Sequence, residues 1–357
     1  MEQPDGEDER DEARPQGATT PDLGHPANMA DVARLAGVSI ATVSRALRDV
    51  PGVGESTRQR VREVADQLSY VISPEASSLS RRETGRVAVV MSRIDVWFYA
   101  AMLGSIERAL RAEGIDVLVY QVDGPLERDK FVRDLPARRK VDAVVLAALP
   151  LSPEQRDRLD LLGVPMVIAG GQARGLPHVD VDDRAMGRAA VDLLLDAGHR
   201  DIAMVRTSDT DATTWDADLL RVAGYREALA ARGVAERPEL LVTEPYGVNA
   251  GAGALDRLLA LDTPPTAVFA YSDEIAASVT MGAQRHGLRV PEDLSVVGID
   301  GHPFSELFGL STFDQRVEVQ GEEAAAIAVR LIRGQSGARS VRVPHVYVDR
   351  GSVRPPG

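Results

Sequence analysis

The chain has 357 residues, a formal net charge of −13 and no cysteine. This length exceeds one small core and predicts two or three domains. The lack of cysteine excludes disulfides and thiolate metal sites, and no apolar run approaches the roughly 18 residues that span a membrane. Because the first residues also lack the apolar segment of a secretory signal, the sequence predicts a cytoplasmic protein.

The negative charge is unevenly distributed along the chain. Seven of the first 14 residues are acidic and two are arginine, so this segment alone contributes −5. Residues 1–26 also hold four prolines and few large apolar side chains, which predicts a disordered acidic tail. In contrast, Val32–Arg48 contains three arginines and no acid. Because local charge governs docking on phosphates, the negative total does not exclude nucleic-acid binding.

Residues 27–70 follow a helical pattern with two helix-start signals. Asn28 is suited to cap a first helix, which Gly37 ends in a tight turn. Ser39 is suited to cap a second helix that runs through Leu47. A third helix is predicted over Glu55–Leu68, where apolar residues recur at helical spacing. Two short helices joined by a turn predict a helix-turn-helix.

The second helix is predicted to have an inner and an outer face. Val43 and Leu47 lie four residues apart and are expected to pack inward beside Val32 and Leu35. The outer face then carries Ile40, Ala41, Thr42, Ser44 and Arg45. Side chains on such a face can meet base edges, and the helix N-terminus can meet phosphate. The alternative is a small three-helix bundle whose third helix exposes Thr57, Arg58, Arg60 and Arg62 to solvent.

From Arg86 onward, short β-branched runs alternate with amphipathic stretches such as Met186–Asp196. The predicted strands are Val87–Met91, Val117–Gln121, Val141–Leu149, Met166–Ala169, Ile202–Arg206, Leu240–Thr243, Ala267–Tyr271 and Ser295–Ile299. This alternation predicts an α/β region of parallel βαβ units. Continuous apolar strands such as Ala143–Leu149 predict a sheet that is covered on both faces.

Ligands of open parallel sheets bind beyond the carboxyl ends of the strands. The residues predicted at these ends are Asp95, Trp97, Phe98 and Tyr99 after the first strand, then Trp215, Asp218 and Arg221 in one loop, then Ser272, Asp273 and Asp300. Aromatic faces with a few polar groups predict a pocket for a small polar ligand. For Asp273 alone, a role as helix N-cap is favoured over a ligand contact.

These features carry a resemblance to the LacI/GalR (lactose/galactose repressor) family of transcriptional regulators. The headpiece match runs through Asp31-Val-Ala-Arg-Leu-Ala-Gly-Val-Ser-Ile-Ala-Thr-Val-Ser-Arg45, and Thr57-Arg58 and Leu68-Ser-Tyr70 extend it. In the sensor region, Phe98-Tyr99, Arg221-Val-Ala-Gly-Tyr225 and Val296-Val-Gly-Ile-Asp300 also match. The resemblance covers about residues 28–350.

The resemblance implies a repressor, not an enzyme, that binds a near-palindromic operator in double-stranded DNA as a homodimer. Ile40, Ala41 and Arg45 would read bases, whereas the other DNA-contacting residues would be Asn28, Ser39, Thr42, Ser44 and Thr57. Residues 71–85 would form a hinge helix, from which Leu79 would enter the minor groove as a wedge. Gly54 departs from the family's usual serine, and Ser77 replaces a usual arginine.

The resemblance also implies a two-lobed, periplasmic-binding-protein-like sensor at residues 86–350, without cofactor or metal. The first lobe would hold about 86–182 and 314–335, the second about 183–313 and 338–350, and 351–357 would be a tail. From the strand ends and the matched motifs together, the predicted effector-binding residues are Asp95, Trp97, Phe98, Tyr99, Trp215, Arg221, Ser272 and Asp300. Arg221 would donate hydrogen bonds and Asp300 would accept them from hydroxyls, which suits a sugar. A nucleoside or purine stays an alternative, because Ser272 and Gly301 depart from the family pattern.

Two other classes of protein compete with this interpretation. An α/β enzyme is disfavoured, because the sequence has no Gly-x-Ser-x-Gly elbow, no phosphate-cradling Gly-x-x-x-x-Gly-Lys and no histidines at metal-binding spacing. A sugar-binding receptor of the periplasmic type is disfavoured by the N-terminal helical module and by the missing secretory signal.

Overall fold

The computed structural model describes residues 25, 27–70, 84–134, 136–149, 151–173, 175–208, 216–335 and 339–357. The chain divides into two compact units, Met1–Arg82 and Glu83–Gly357. The acidic tail up to residue 24, the hinge with Leu79, and Trp215 lie outside the described residues.

The described part of the first unit contains three helices, which confirms the predicted headpiece. They are α1 (Met29–Ala36), α2 (Ile40–Leu47) and α3 (Glu55–Gln67). Asn28 caps α1 in a capping box with Asp31, and Gly37 ends it with a φ of 66°. The Ser39 hydroxyl accepts a hydrogen bond from the Thr42 backbone N–H at 3.1 Å and so caps α2.

Small apolar side chains fill the core between these helices. The buried residues are Val32, Ala33, Ala36, Val43, Ala46, Val61, Ala65 and Leu68. The prediction that Leu35 packs inward is wrong, because 41% of this residue is exposed. Val32, Ala33 and Ala36 already occupy the inward stripe of α1, and Leu35 lies beside that stripe.

The second unit is built on two six-stranded sheets with flanking helices, which confirms the predicted two-lobed α/β architecture. Its strands are β1 (Arg86–Met91), β2 (Asp116–Gln121), β3 (Ala143–Ala147), β4 (Met166–Ala169), β5 (His178–Asp180), β6 (Ile202–Ser208), β7 (Leu241–Pro245), β8 (Ala267–Ala270), β9 (Ser295–Asp300), β10 (Ser311–Asp314), β11 (Val341–Arg342) and β12 (Val346–Val348). Its helices are α4 (Trp97–Ala112), α5 (Gly124–Asp134), α6 (Pro153–Leu159), α7 (Asp183–Asp196), α8 (Asp216–Ala231), α9 (Ala250–Leu259), α10 (Asp273–Arg285) and α11 (Val317–Ile332). Short 3₁₀ helices span Asp160–Leu162, Pro238–Leu240 and Pro303–Glu306.

The strand order is β11-β5-β4-β3-β1-β2 in the first sheet and β12-β10-β9-β8-β6-β7 in the second. Neighbouring strands run parallel, except that β12 pairs antiparallel with β10. Alternate residues of β1 belong to different core clusters: Val87, Val89 and Met91 face one, and Ala88 and Val90 face the other. Helices therefore cover both faces of the first sheet, as the continuous apolar strands predicted.

We call the first sheet with its helices the first lobe, and the second sheet with its helices the second lobe. The chain returns to the first lobe with α11, where Gly321 packs so closely on Ser105 that a side chain would not fit. Strand β11 pairs with β5, so the expected assignment of all of 338–350 to the second lobe is wrong. The chain enters the second lobe again between Arg342 and Val346, because β12 pairs with β10.

Residues beyond 350 were expected to form a tail, but they pack on the second lobe. Ser352 is buried, and its hydroxyl donates to the Val296 carbonyl at 2.5 Å. The Arg354 carbonyl lies 2.8 Å from Nε2 of the buried His199. None of the helices in the described part of the chain has both the length and the apolar character that crossing a membrane requires.

Candidate functional site

The outer face of α2 carries the side chains that the sequence placed there. Ile40 is 52% exposed, although it is a large apolar residue, and Ala41 and Arg45 are exposed as well. Thr42 is half-buried, and its hydroxyl lies 2.8 Å from that of Ser39. An exposed isoleucine at the start of a capped helix, with an exposed arginine in the last turn, fits a surface that contacts another molecule.

Arg58 holds the segment that joins α2 to α3. Its side chain is only 12% exposed, so Arg58 does not belong to the solvated face that the alternative, a plain three-helix bundle, assigns to it. Its guanidinium donates to Asp49 at 2.8 Å and to the carbonyls of Val53, Val50 and Ala46 at 3.4–3.5 Å. Because the fork of a guanidinium can join several acceptors, Arg58 fixes α2 relative to α3.

In the second unit, the carboxyl ends of strands from both lobes surround a cavity of about 360 Å³. Of the residues predicted to bind an effector, the lining includes Phe98, Tyr99, Arg221, Ser272 and Asp300. The structure thus brings these five residues to one cavity at the strand ends, and their role as effector ligands stays a prediction.

Arg221 was predicted to lie in a loop, and this prediction is wrong, because the residue lies on α8. Its Nε donates to Asp183 Oδ1 at 2.8 Å, and its Nη1 donates to the Tyr271 carbonyl at 2.7 Å. The guanidinium carbon also lies 4.5 Å from the centre of the Tyr271 ring. Burial lowers the pKa of Arg221, but Asp183, Tyr271 and Asp300 raise it by more, so the pKa is above its ordinary value and the group stays charged.

Asp300 is the last residue of β9 and lies on the cavity wall. Its φ is 135°, a backbone conformation that residues other than glycine rarely adopt. The Gln315 side-chain amide donates to Asp300 Oδ1 at 2.5 Å. Burial and the nearby Asp273 raise the pKa of Asp300 well above its ordinary value.

Asp273 supports the end of β9 from behind. Its carboxylate accepts hydrogen bonds from the Thr312 hydroxyl at 2.6 Å and from the His302 backbone N–H at 2.8 Å. Burial raises the pKa of Asp273 to about 6. The prediction that Asp273 caps the following helix is wrong, because the cap of α10 is Ser272, whose hydroxyl accepts from the Ile275 N–H at 3.3 Å.

Two predicted effector residues lie outside the cavity lining. Asp95 is mostly exposed and binds Arg93, which itself lines the cavity, at 2.8 and 3.0 Å. The Trp97 ring lies 4.6 Å from His302, whose own pKa is lowered to about 4 by burial. Side chains two residues apart leave a helix about 200° apart, so Trp97 lies on the side of α4 opposite to Tyr99.

Several lining residues were missed in the sequence. Among them are Arg93, Gln172, Asp180, Asp183, Tyr246, Tyr271, Glu274 and Gln315. Asp183 and Gln315 lie where the chain crosses between the lobes, and Asp180 ends a three-residue strand. A three-residue strand and a short crossing segment are too short to show periodicity in a sequence. An aspartate or glutamine just after an apolar run can still indicate a residue of the cavity wall.

Comparisons with known proteins agree with this architecture. Residues 28–73 match the family "Bacterial regulatory proteins, lacI family", and residues 191–353 match the "Periplasmic binding protein-like domain". The chain is 31% identical to catabolite control protein A of Priestia megaterium, over 91% of this chain and 98% of that protein. It is 32% identical to the transcriptional repressor CytR of Escherichia coli K12, over 92% and 96%.

Solved structures show the same fold. A complex of the transcriptional regulator CelR with cellobiose superimposes with a TM-score of 0.67 at 30% identity, over 91% of this chain and 99% of that one. A lac repressor dimer bound to operator and the anti-inducer ONPF superimposes with a TM-score of 0.80 at 22% identity, over 92% and 100%. The named relatives are transcriptional regulators and not enzymes. The chain therefore belongs to the LacI family of DNA-binding transcriptional regulators, with a helix-turn-helix headpiece and a ligand-binding sensor domain.

Proposed function

We propose that this regulator is a cytoplasmic repressor that binds a near-palindromic operator as a homodimer, under the control of a small polar effector, most simply a sugar. The observation that carries the proposal is the outer face of α2. Ile40, Ala41 and Arg45 are exposed there, on a helix that Ser39 caps and that Arg58 anchors. A helix held in this way can enter the major groove without reorganising its own core.

The proposed base contacts follow from the chemistry of these side chains. The Arg45 guanidinium can donate to both major-groove acceptors of a guanine. Ile40 and Ala41 offer apolar contact, for example to a thymine methyl group. We assign backbone contacts to the hydroxyls of Ser39, Thr42, Ser44 and Thr57 and to Asn28. Leu79, outside the described residues, is proposed as the minor-groove wedge.

The proposed control operates through the cavity between the lobes. Arg221 and Asp300 belong to the second lobe, whereas Phe98 and Tyr99 belong to the first, and all four line the cavity. A ligand that contacts both walls favours the lobe arrangement in which both contacts are made. The cellobiose complex of CelR supports a sugar as the effector class. Two half-sites of an operator require two headpieces, which supports a dimer.

The DNA-binding proposal is tested by selecting genomic fragments with the full-length protein and measuring their affinity by fluorescence anisotropy at several salt concentrations. We expect a strong preference for selected over random duplex, with an affinity that falls as salt rises. Analytical ultracentrifugation of the complex should show two chains per operator. Equal affinity for selected and random duplex would contradict the proposal, and a change in operator affinity with an added sugar supports the control by an effector.

A further inference from the structure

The arginines of the headpiece fall into two groups. Residues 27–70 contain six arginines and no lysine. Three of the arginines lie within 4.0 Å of an acid of the headpiece, and these are Arg34, Arg58 and Arg62. The other three form no ion pair with any residue that the structure describes, and these are Arg45, Arg48 and Arg60. The positive charge of the headpiece is therefore uncompensated at particular places.

Two of the unpaired arginines are neighbours on α2. Arg45 lies in the last turn of this helix and Arg48 is its C-cap. Side chains three residues apart on a helix lie on the same face, so these two like charges adjoin each other. The Nε–H of Arg48 is buried and has no hydrogen-bond acceptor. Because no acid occurs between Val32 and Arg48, the outer face of α2 lacks an anionic partner within its own sequence.

The chain itself contains a segment of opposite charge. Residues 1–14, which we call the acidic segment, carry seven acids and two arginines and so a net charge of −5. The match to the LacI family begins only at residue 28, after this segment. The lac repressor dimer is covered over its whole length by 92% of this chain. The headpiece and the sensor thus account for the shared architecture, and the acidic segment is additional to it.

The acidic segment is close enough along the chain to reach α2. Residues 15–27 connect it to the start of α1, and 13 residues can span up to about 40 Å. A headpiece of this size has a radius of gyration of only about 9 Å. The connection therefore places no geometric restriction on which face of the headpiece the acidic segment meets.

We propose that the acidic segment docks on the outer face of α2, against Arg45 and Arg48, and competes there with DNA. Its carboxylates have the same charge as the phosphates that this face is proposed to meet. A tethered segment has an effective concentration on the order of 1 mM, so a dissociation constant of about 0.1 mM suffices to lower DNA affinity about tenfold. The competition affects every duplex that binds this face, whereas the docking itself needs no DNA.

The competition is tested with two full-length variants that change the net charge equally. The tail variant neutralises four acids of the acidic segment by Glu7→Gln, Asp8→Asn, Glu9→Gln and Asp11→Asn. The control variant neutralises four exposed acids of the second unit that form no ion pair with described residues, by Asp116→Asn, Asp160→Asn, Asp262→Asn and Glu322→Gln. Binding of a random-sequence duplex is measured by fluorescence anisotropy at about 0.05 M and about 0.5 M salt.

At the lower salt concentration, we expect the tail variant to bind duplex about tenfold more tightly than the wild type, and the control variant to differ by less than about twofold. The gain should largely disappear at the higher salt concentration, because exposed charges are then screened. A tail variant that binds no more tightly than the control variant would overturn the proposed competition.

The docking is tested without DNA by a spin label on the acidic segment. The chain has no cysteine, so Gly6→Cys provides a unique attachment site for a nitroxide. In protein with labelled isoleucine methyl groups, the nitroxide should broaden the methyl resonance of Ile40, which is exposed at the start of the outer face. Broadening should decrease when the four tail substitutions are added and when salt is raised.

The two measurements together separate this inference from the proposed function. Broadening of Ile40 that neither the tail substitutions nor salt changes would overturn the docking, even if the tail variant binds DNA more tightly. In that case the acidic segment repels DNA without contacting α2. Failure of the wild type and both variants to bind any duplex would overturn the DNA-binding proposal and the competition, whereas the spin label still decides whether the segment docks.

Discussion

The buried carboxyl of Asp273 is expected to make the stability of the second unit depend on pH. Its pKa is raised from 3.8 to about 6, chiefly by burial. A carboxyl with a raised pKa in the folded state binds its proton more tightly there than in the unfolded chain. Its contribution to stability is therefore complete below pH 4 and is lost as the pH rises through 6. A rise of about two pKa units corresponds to about 3 kcal/mol of unfolding free energy.

The perturbation that isolates this effect is Asp273→Asn, which is uncharged at every pH. Asparagine keeps one acceptor oxygen, so it satisfies the Thr312 hydroxyl or the His302 N–H but not both. That loss costs about 1–3 kcal/mol at all pH values and cancels when the two proteins are compared across pH. Burial and the Asp273 charge together raise the pKa of Asp300, so removing that charge makes the pKa of Asp300 less raised. This change adds to the expected pH dependence with the same sign.

The assay is urea unfolding of the full-length protein between pH 4.5 and 7.5, followed by tryptophan fluorescence. Both tryptophans of the chain, Trp97 and Trp215, belong to the second unit, so the signal reports on that unit. We expect the stability of the wild type relative to Asp273→Asn to fall by about 2 kcal/mol as the pH rises over this range, because the rest of the change lies below pH 4.5. The control Asp262→Asn, at an exposed acid, should show no such trend. A difference that stays constant, or that grows with pH, would refute the reasoning.

Three further predictions concern the headpiece and the packing of the second lobe. Arg45→Ala should weaken operator binding by about 1–3 kcal/mol in the anisotropy assay, whereas Arg60→Ala, at an exposed site on α3, should lower affinity for all sequences alike or not at all. Arg58→Ala should destabilise the headpiece by about 1–3 kcal/mol, measured as faster amide hydrogen exchange in α2 and α3, because it removes the hydrogen bonds to the carbonyls of Ala46, Val50 and Val53. Gly224→Ala would place a methyl group 2.6 Å from the Arg188 backbone nitrogen and should cost about 1–3 kcal/mol in urea unfolding, whereas Gly253→Ala meets only the Glu244 carboxylate at 4.0 Å, an ordinary contact, and should be neutral or stabilising by about 0.5–1 kcal/mol.

The headpiece could be predicted closely because its signals are local. Asn28, Gly37 and Ser39 each act within four residues of their own position, and the structure has the helix boundaries where they indicate. Leu35 and Arg58 were misplaced because their environment depends on how three helices pack. Arg58 reaches the carbonyl of Ala46, 12 residues earlier, and no local pattern records such a contact.

The second unit was predictable where strands are long and apolar, and not where pairing is distant. The strands β5, β11 and β12 have two or three residues each, and β11 pairs with a strand more than 160 residues earlier. A segment so short has no periodicity, and its partner cannot be read from its own sequence. The same holds for Asp183 and Gln315, which join the cavity only because the chain crosses between the lobes beside them.

The crossing segment at Gln315 gives the cavity a direct connection to both lobes. The Gln315 side chain donates to Asp300 in the second lobe, and its backbone carbonyl accepts from the buried Gln320 of α11 at 2.7 Å. Helix α11 in turn packs on α4 of the first lobe, where Gly321 meets Ser105. A ligand hydroxyl that bonds to Asp300 must compete with Gln315 or share the carboxylate with it. A ligand that displaces Gln315 acts on the residue whose carbonyl holds α11, and this gives the proposed effector control a route from Asp300 to the first lobe.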